Sequence, residues 1–90
     1  MNAYLICYDL IKPHDGPEDY ERVIKGIKAR FPVFAHVEKS VFAVKSYEDL
    51  TTVRNAVAKL LSATDRLFVA EMSGWAWNNM ETAVHTWLAA

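Results

Sequence analysis

Two β-prone runs near the middle of the chain stand so close together that they are expected to pair as a hairpin. The first covers residues 33–37 and the second covers residues 40–44, with Glu38 and Lys39 between them. Runs of this length that are rich in Val and Phe and joined by a short turn are typical of antiparallel strand pairs. The hairpin limits the possible folds more than any other feature, because every other segment must be placed around it.

One helical pattern precedes the hairpin and another follows it. In the first, apolar residues recur at the spacing i, i+3, i+4 and i+7, namely at Tyr20, Val23, Ile24 and Ile27. They predict a helix over residues 17–30. In the second, Ser46 and Asp49 have the spacing of a capping box, and we predict a helix over residues 47–61.

A β-prone run stands outside each helix, and a last amphipathic segment follows. We predict strands over residues 3–10 and 66–72, and a C-terminal helix with apolar positions from Met80 to Leu88. The order β-α-β-β-α-β is that of the ferredoxin-like fold, an α+β fold in which both connecting helices lie on one face of a four-stranded antiparallel sheet. With 90 residues, the chain has room for a single domain over residues 1–90.

The first strand is apolar on both of its faces. Tyr4, Ile6 and Tyr8 point to one side of the sheet, and the intervening Leu5 and Cys7 point to the other. An antiparallel sheet with one solvated face should instead show a polar side. We therefore expect the second face to be covered, either by a second copy of the chain or by the C-terminal helix. A homodimer is favoured because 52% of the residues are apolar, which exceeds what one small core can bury.

The composition narrows the classes of function. A net charge of −1 does not favour general binding of phosphates. Four basic residues nevertheless cluster in the first predicted helix and leave RNA or DNA open as a partner: Arg22, Lys25, Lys28 and Arg30. The single cysteine, Cys7, excludes an internal disulfide and is typical of a reducing compartment. Because the chain shows neither a signal-peptide pattern nor an apolar run of about 18 residues, we expect a cytoplasmic protein with no membrane contact.

Asp9, the histidines together with Cys7, and a pair of tryptophans are the candidates for function. Asp9 ends the first strand, and such an aspartate either accepts backbone N–H bonds in the following loop or takes part in chemistry. The histidines and Cys7 lack the spacing of metal ligands, so a zinc site is not expected. Trp75 and Trp77 either stack on unpaired bases or seat the C-terminal helix on the sheet, and we favour the second interpretation.

Several local strings resemble those of known families. The end of the first strand, Tyr8-Asp9-Leu10, and the segment of residues 38–42 resemble the small CRISPR-associated dimeric nucleases of adaptation complexes. The chain as a whole more closely resembles short phage and bacterial proteins of the SinR family. Those begin with a Tyr-Leu-Ile-x-Tyr-Asp-Leu strand and end with a core strand, a Gly-Trp segment and a Trp-containing helix. The matching segments here are residues 4–10, residues 65–69, Gly74-Trp75 and Trp87.

This resemblance implies a ferredoxin-like homodimer that acts as a metal-dependent endonuclease on phosphodiesters. It implies that Asp9 is both a catalytic residue and a metal ligand, with the Asp9 carboxylates of two subunits holding a Mg²⁺ ion near the dimer axis. Ser40 is then a second catalytic residue, which hydrogen bonds a phosphate.

Two other functions fit the residues. One is a non-catalytic dimeric module that binds or regulates a protein or nucleic acid, which the near-neutral charge and the lack of a second catalytic group favour. The other is a dimeric α+β barrel enzyme, which requires a ligand pocket between the sheet and the helices, lined by His36 or a tyrosine. The residues alone leave open whether the chain is an enzyme.

Overall fold

The computed structural model describes residues 1–89, which form one four-stranded antiparallel sheet and three helices. The strands are β1 (Asn2–Asp9), β2 (Phe34–Glu38), β3 (Val41–Ser46) and β4 (Arg66–Met72). The helices are α1 (Pro17–Arg30), α2 (Leu50–Ala58) and α3 (Thr82–Ala89). The strand order β2-β3-β1-β4, with β2 and β4 at the edges, confirms the predicted ferredoxin-like α+β fold. Within residues 1–89, no helix has both the length and the apolar character needed to cross a membrane.

The bounds predicted for α1 and β4 are confirmed, whereas α2 is shorter than predicted and its predicted capping box is wrong. Ser46 still belongs to β3, where it pairs with Asn2 in the sheet. Asp49 is the N-cap instead, and its side chain accepts the Thr52 N–H at 2.8 Å. The Ser46 hydroxyl accepts the Glu48 N–H at 3.1 Å and so holds the turn between β3 and α2.

The helix side of the sheet holds the main core. α1 and α2 pack there against alternating strand residues, and the fully buried members are Tyr4, Ile6, Phe42, Val44, Val23, Ile27, Val53 and Val57. Fully burying a Val, Ile or Phe side chain contributes roughly 1.5–3 kcal/mol. Because large side chains fill the space between the sheet and these helices, this side does not favour the ligand pocket that a dimeric α+β barrel enzyme requires.

α3 covers part of the second face, over β2 and β3. Ala35 of β2 and Ala43 of β3 are buried in a cluster with Val84 and Leu88 of α3. Alanine at both sheet positions leaves room for the larger side chains of the helix to approach the backbone. The C-terminal helix is therefore the cover for one half of this face.

Two tryptophans hold α3 in place. Trp75 and Trp77 are half-buried against the α3 cluster. The ring N–H of Trp75 donates to the Leu88 carbonyl oxygen at 2.9 Å, and that of Trp77 donates to His85 Nδ1 at 2.7 Å. Both indole donors are thus satisfied by α3, which confirms the prediction that these residues seat the C-terminal helix on the sheet.

The other half of the second face is less well covered. We call it the β1–β4 strip. It consists of Leu5 and Cys7 of β1, Phe68 and Ala70 of β4, and Val41 at the start of β3. The sheet register makes the strip continuous, because Cys7 stands opposite both Val41 and Phe68, and Leu5 stands opposite Ala70. Phe68 is 63% exposed, and the other members are only partly buried. The strip therefore presents apolar surface up to the β4 edge of the sheet.

Tyr4 provides a test of the fold, because its ring is fully buried and its hydroxyl donates to the Glu48 carbonyl oxygen at 2.6 Å. We expect Tyr4→Phe to lower the free energy of unfolding by about 1–2 kcal/mol, since the part-buried carbonyl loses its donor. Urea denaturation measures this change. Tyr47→Phe is the matched control, because Tyr47 is 87% exposed and its loss should leave the free energy unchanged. An equal change in the two variants would contradict the structural role of the Tyr4 hydroxyl.

Candidate functional site

Asp9 is the last residue of β1 and lies on the second face, in line with the β1–β4 strip. It is exposed, and Arg66 of β4 stands directly opposite it in the sheet register. The ion pairs within residues 1–89 join other groups: Arg22 with Asp19, Lys25 with Glu21, and Arg30 with Glu48. The Asp9 carboxylate therefore stands at the surface near a guanidinium group, available to a ligand or to a second subunit.

Asp65, rather than Asp9, supports the loop that follows β1. Its Oδ1 accepts the Ile11 N–H at 2.8 Å and its Oδ2 accepts the Ser62 N–H at 2.8 Å, so it ties this loop to the one before β4. Burial raises the pKa of the Asp65 carboxyl, but the hydrogen bonds from the Ile11 and Ser62 N–H groups, together with the Ser62 side chain and nearby His14, hold that pKa below its ordinary value. This role of Asp65 is not among those predicted from the sequence, although the spacing of Ser62 and Asp65 is a local turn signal.

Ser40 lies in the turn between β2 and β3, at the same end of the sheet as Asp9. Its carbonyl oxygen accepts the Tyr8 N–H at 3.1 Å, and the Tyr8 hydroxyl donates to the Lys39 carbonyl oxygen at 3.2 Å. The turn is thus fixed to the last residues of β1. Ser40 therefore stands opposite Tyr8, whose side chain points to the helix side of the sheet. Asp9, the next residue, points to the other face.

A shallow depression of about 250 Å³ adjoins Asp9, and Cys7, Tyr8 and Arg66 contribute to its lining. Burial raises the pKa of the Cys7 thiol, and burial together with nearby Tyr20 raises the pKa of Tyr8 to about 12. Both groups therefore stay protonated at neutral pH and are not activated as nucleophiles or bases. What remains chemically active is a carboxylate that can accept hydrogen bonds or attract a cation, and a guanidinium that can bind an anion.

The basic cluster of α1 is largely engaged within the subunit. Three of its side chains have intramolecular partners: Arg22 with the Leu60 carbonyl, Lys25 with Glu21, and Arg30 with Glu48. Lys28 instead lies over the ring of Phe34, with Nζ 5.5 Å from the ring centroid. The four residues do not form a stripe of free cations, which weakens the case for α1 as a surface that binds a nucleic-acid backbone.

The donors around Asp9 in a single subunit do not fit a metal ion. Mg²⁺ is held by carboxylates and waters, and Asp9 supplies one carboxylate opposite the positive charge of Arg66. Among the residues that the structure describes, no three His, Cys, Asp or Glu side chains are grouped so that they could hold an ion. His36 stacks on Phe42 with ring centroids 4.2 Å apart. A metal at Asp9 would therefore require a second carboxylate from another copy of the chain.

Comparisons with known proteins do not assign this chain to a family. No protein-family model matches the sequence, and no curated protein matches it significantly. The resemblance to SinR-family proteins and to CRISPR-associated nucleases therefore stays a prediction that rests on the short motifs alone.

Asp65 provides a pH-dependent test. We expect Asp65→Asn to lower the free energy of unfolding at pH 7 by about 1–3 kcal/mol, because an amide cannot accept both N–H bonds through its two terminal atoms. The folded-state pKa of Asp65 is lowered, so this contribution is complete above its ordinary pKa of 3.8 and is lost as the pH falls through the folded-state pKa.

Urea denaturation of both proteins between pH 7 and pH 3 measures the difference, which should shrink on acidification. Asp15→Asn, in the loop before α1, is the control and should leave the free energy of unfolding nearly unchanged. A difference between Asp65→Asn and the unmodified protein that stays constant with pH would contradict the role assigned to the carboxylate.

Proposed function

We propose that this chain is a non-catalytic homodimeric binding module whose two copies meet along the β1–β4 strip. The observation that carries the proposal is Phe68, which is 63% exposed although it continues an apolar row with Cys7 and Val41. Burying a phenylalanine side chain contributes roughly 1.5–3 kcal/mol, and a symmetric contact would bury two of them. A second copy of the chain is the simplest cover, because two-fold homodimers are the commonest oligomers.

The backbone at the β4 edge supports the same contact. The Tyr8 N–H donates to the Ser40 carbonyl oxygen on the β3 side, so odd-numbered residues of β1 direct their peptide groups to β4. In β4 the alternation continues, and the peptide groups that point away from β1, towards the open edge, are those of Leu67, Val69 and Glu71. These peptide groups are what an approaching partner strand needs for pairing.

β4 also lacks the usual protection of an edge strand. Its register with β1 is regular from Arg66 to Met72, it contains no proline, and its central residues 67–70 carry no charge. β2, at the other edge, is interrupted by a bulge between His36 and Glu38. Self-association is therefore more strongly favoured at β4 than at β2.

Phe68→Lys tests the dimer. We expect sedimentation of the unmodified protein to give a dimer, and the Phe68→Lys variant to raise the dissociation constant at least about a hundredfold, since two apolar contacts are lost and two like charges meet. Tyr47→Lys is the control, because Tyr47 is 87% exposed outside the strip and should leave the association unchanged. An unmodified protein that sediments as a monomer at high concentration would contradict the proposal.

A metal-dependent endonuclease is the second candidate. Asp9 favours it, because this exposed carboxylate lies in line with the strip, and a second copy packed face to face on the strip would add another Asp9 to the contact. Two carboxylates with several waters suit Mg²⁺, and such an ion supports hydrolysis of a phosphodiester. Ser40, at the same end of the sheet, is the candidate for a phosphate contact.

A cleavage assay separates the two candidates. If the protein is an endonuclease, it should cleave labelled RNA or DNA with Mg²⁺ but not with EDTA, and Asp9→Asn should reduce the rate at least about a hundredfold while Glu21→Gln leaves it unchanged. Sedimentation of Asp9→Asn should show that the dimer persists. Cleavage that survives Asp9→Asn would exclude the endonuclease, and the binding module would be excluded by metal-dependent cleavage that this variant abolishes.

A further inference from the structure

β2, the edge strand opposite β4, borders a groove of about 560 Å³. Consecutive residues of the strand and the following turn, residues 34–39, form one side of the groove. Lys28 of α1 forms the second side, and Met80, before α3, forms the third together with Val84 of α3. A groove bordered by consecutive residues of an edge strand exposes backbone as well as side chains, and its volume lies in the range of roughly 300–1,000 Å³ that ligand sites occupy.

The hydrogen bonds of the hairpin determine which peptide groups face the groove. The Lys45 N–H donates to the Val33 carbonyl oxygen at 2.9 Å, so these two residues form a hydrogen-bonded pair of the antiparallel ladder. Such pairs alternate with pairs whose peptide groups point outwards. Phe34, opposite Val44, and His36, opposite Phe42, therefore direct their N–H and carbonyl groups away from β3 and towards the groove.

The helix side of the groove is basic. Lys28 Nζ lies 5.5 Å from the ring centroid of Phe34, and Lys39 Nζ lies 4.3 Å from the ring centroid of Tyr20. The ion pairs within residues 1–89 involve neither lysine. His36, between them along the strand, stacks on the core residue Phe42 and keeps its ring on this side of the sheet. Both lysines line the groove, and their ammonium groups lie over aromatic rings.

The α3 side of the groove has a different character. Val37, Met80 and Val84 line it with apolar surface, and Glu38 and Glu81 add negative charge. An acidic side chain is therefore attracted to the helix side and repelled from the α3 side. Side chains of an added strand alternate between the two sides of the groove. The two surfaces together therefore favour a strand in which acidic and apolar residues alternate.

We infer that the β2 groove binds an extended peptide segment in which acidic and apolar residues alternate, as an additional strand beside β2. The peptide groups of Phe34 and His36 provide the main-chain hydrogen bonds. Lys28 and Lys39 receive the acidic side chains, and Val37 with Met80 receives the apolar ones. Strand addition at an edge combines main-chain bonds for affinity with alternating side-chain sites for specificity. Because β2 and β4 are opposite edges, the inference does not depend on the dimer contact.

A capped peptide of sequence VEVEVEV, titrated into the isotopically labelled full chain and followed by NMR, tests the inference. Saturable shifts should be largest at the amides of Phe34 and His36 and small at Val69 on the opposite edge. The same peptide with alternate backbone nitrogens methylated should bind at least about tenfold more weakly, because it cannot pair with the strand. Equal binding of the methylated peptide, shifts centred on β4, or no saturable shift at millimolar peptide would overturn the inference.

Charge reversal provides an independent check on the helix side of the groove. The double variant Lys28→Glu with Lys39→Glu should weaken binding of VEVEVEV roughly tenfold and should bind VKVKVKV more tightly than the unmodified protein does. Lys59→Glu, at the end of α2, is the control and should change neither affinity. The spectrum of each variant reports whether it is folded. If the double variant still prefers VEVEVEV, the assigned role of the two lysines is wrong.

Discussion

The structure depends on the way β1 is held between β3 and β4. Its even-numbered residues bond to β3 and place Tyr4, Ile6 and Tyr8 in the helix-side core, where burial supplies most of the stabilisation. The two tyrosines also need partners for their hydroxyl groups. That of Tyr4 donates to the Glu48 carbonyl oxygen after β3, and that of Tyr8 donates to the Lys39 carbonyl oxygen before β3. The register of one central strand thereby positions the turns at both ends of its neighbour.

The second face of the sheet is divided by its cover. α3 packs over β2 and β3 because alanine at positions 35 and 43 leaves space for its apolar side chains and for the tryptophans beside it. A helix of eight residues cannot also cover β1 and β4, so the apolar strip ending at Phe68 remains at the surface. The two edges of the sheet consequently differ: β4 is regular and apolar, whereas β2 has a bulge and borders a groove of mixed charge.

The placement of charge limits what the site at the end of β1 can do. Asp65, and not Asp9, accepts the backbone N–H bond of the loop after β1, and its two backbone donors help to hold its pKa below the ordinary value. Asp9 is left exposed opposite Arg66, and the half-buried Cys7 and the buried Tyr8 beside it stay protonated. One subunit therefore offers a single carboxylate and a single guanidinium at this position. A metal ion at this position would therefore need a second carboxylate from another copy of the chain.

The sequence by itself determined the elements and their order, because the periodicity of apolar residues is a local property that the chain carries with it. It correctly predicted α1 and β4, and it showed that β1 is apolar on both faces. Only the tertiary structure decided which half of the second face α3 covers, and that Arg22 bonds to the Leu60 carbonyl instead of facing a ligand. The role of Asp65 was also decided only by the tertiary structure, because its hydrogen bond with the Ile11 N–H joins residues 54 positions apart in the chain. The physical reason is that a hydrogen bond or a covered surface depends on atoms brought together by folding, which no spacing along the chain encodes.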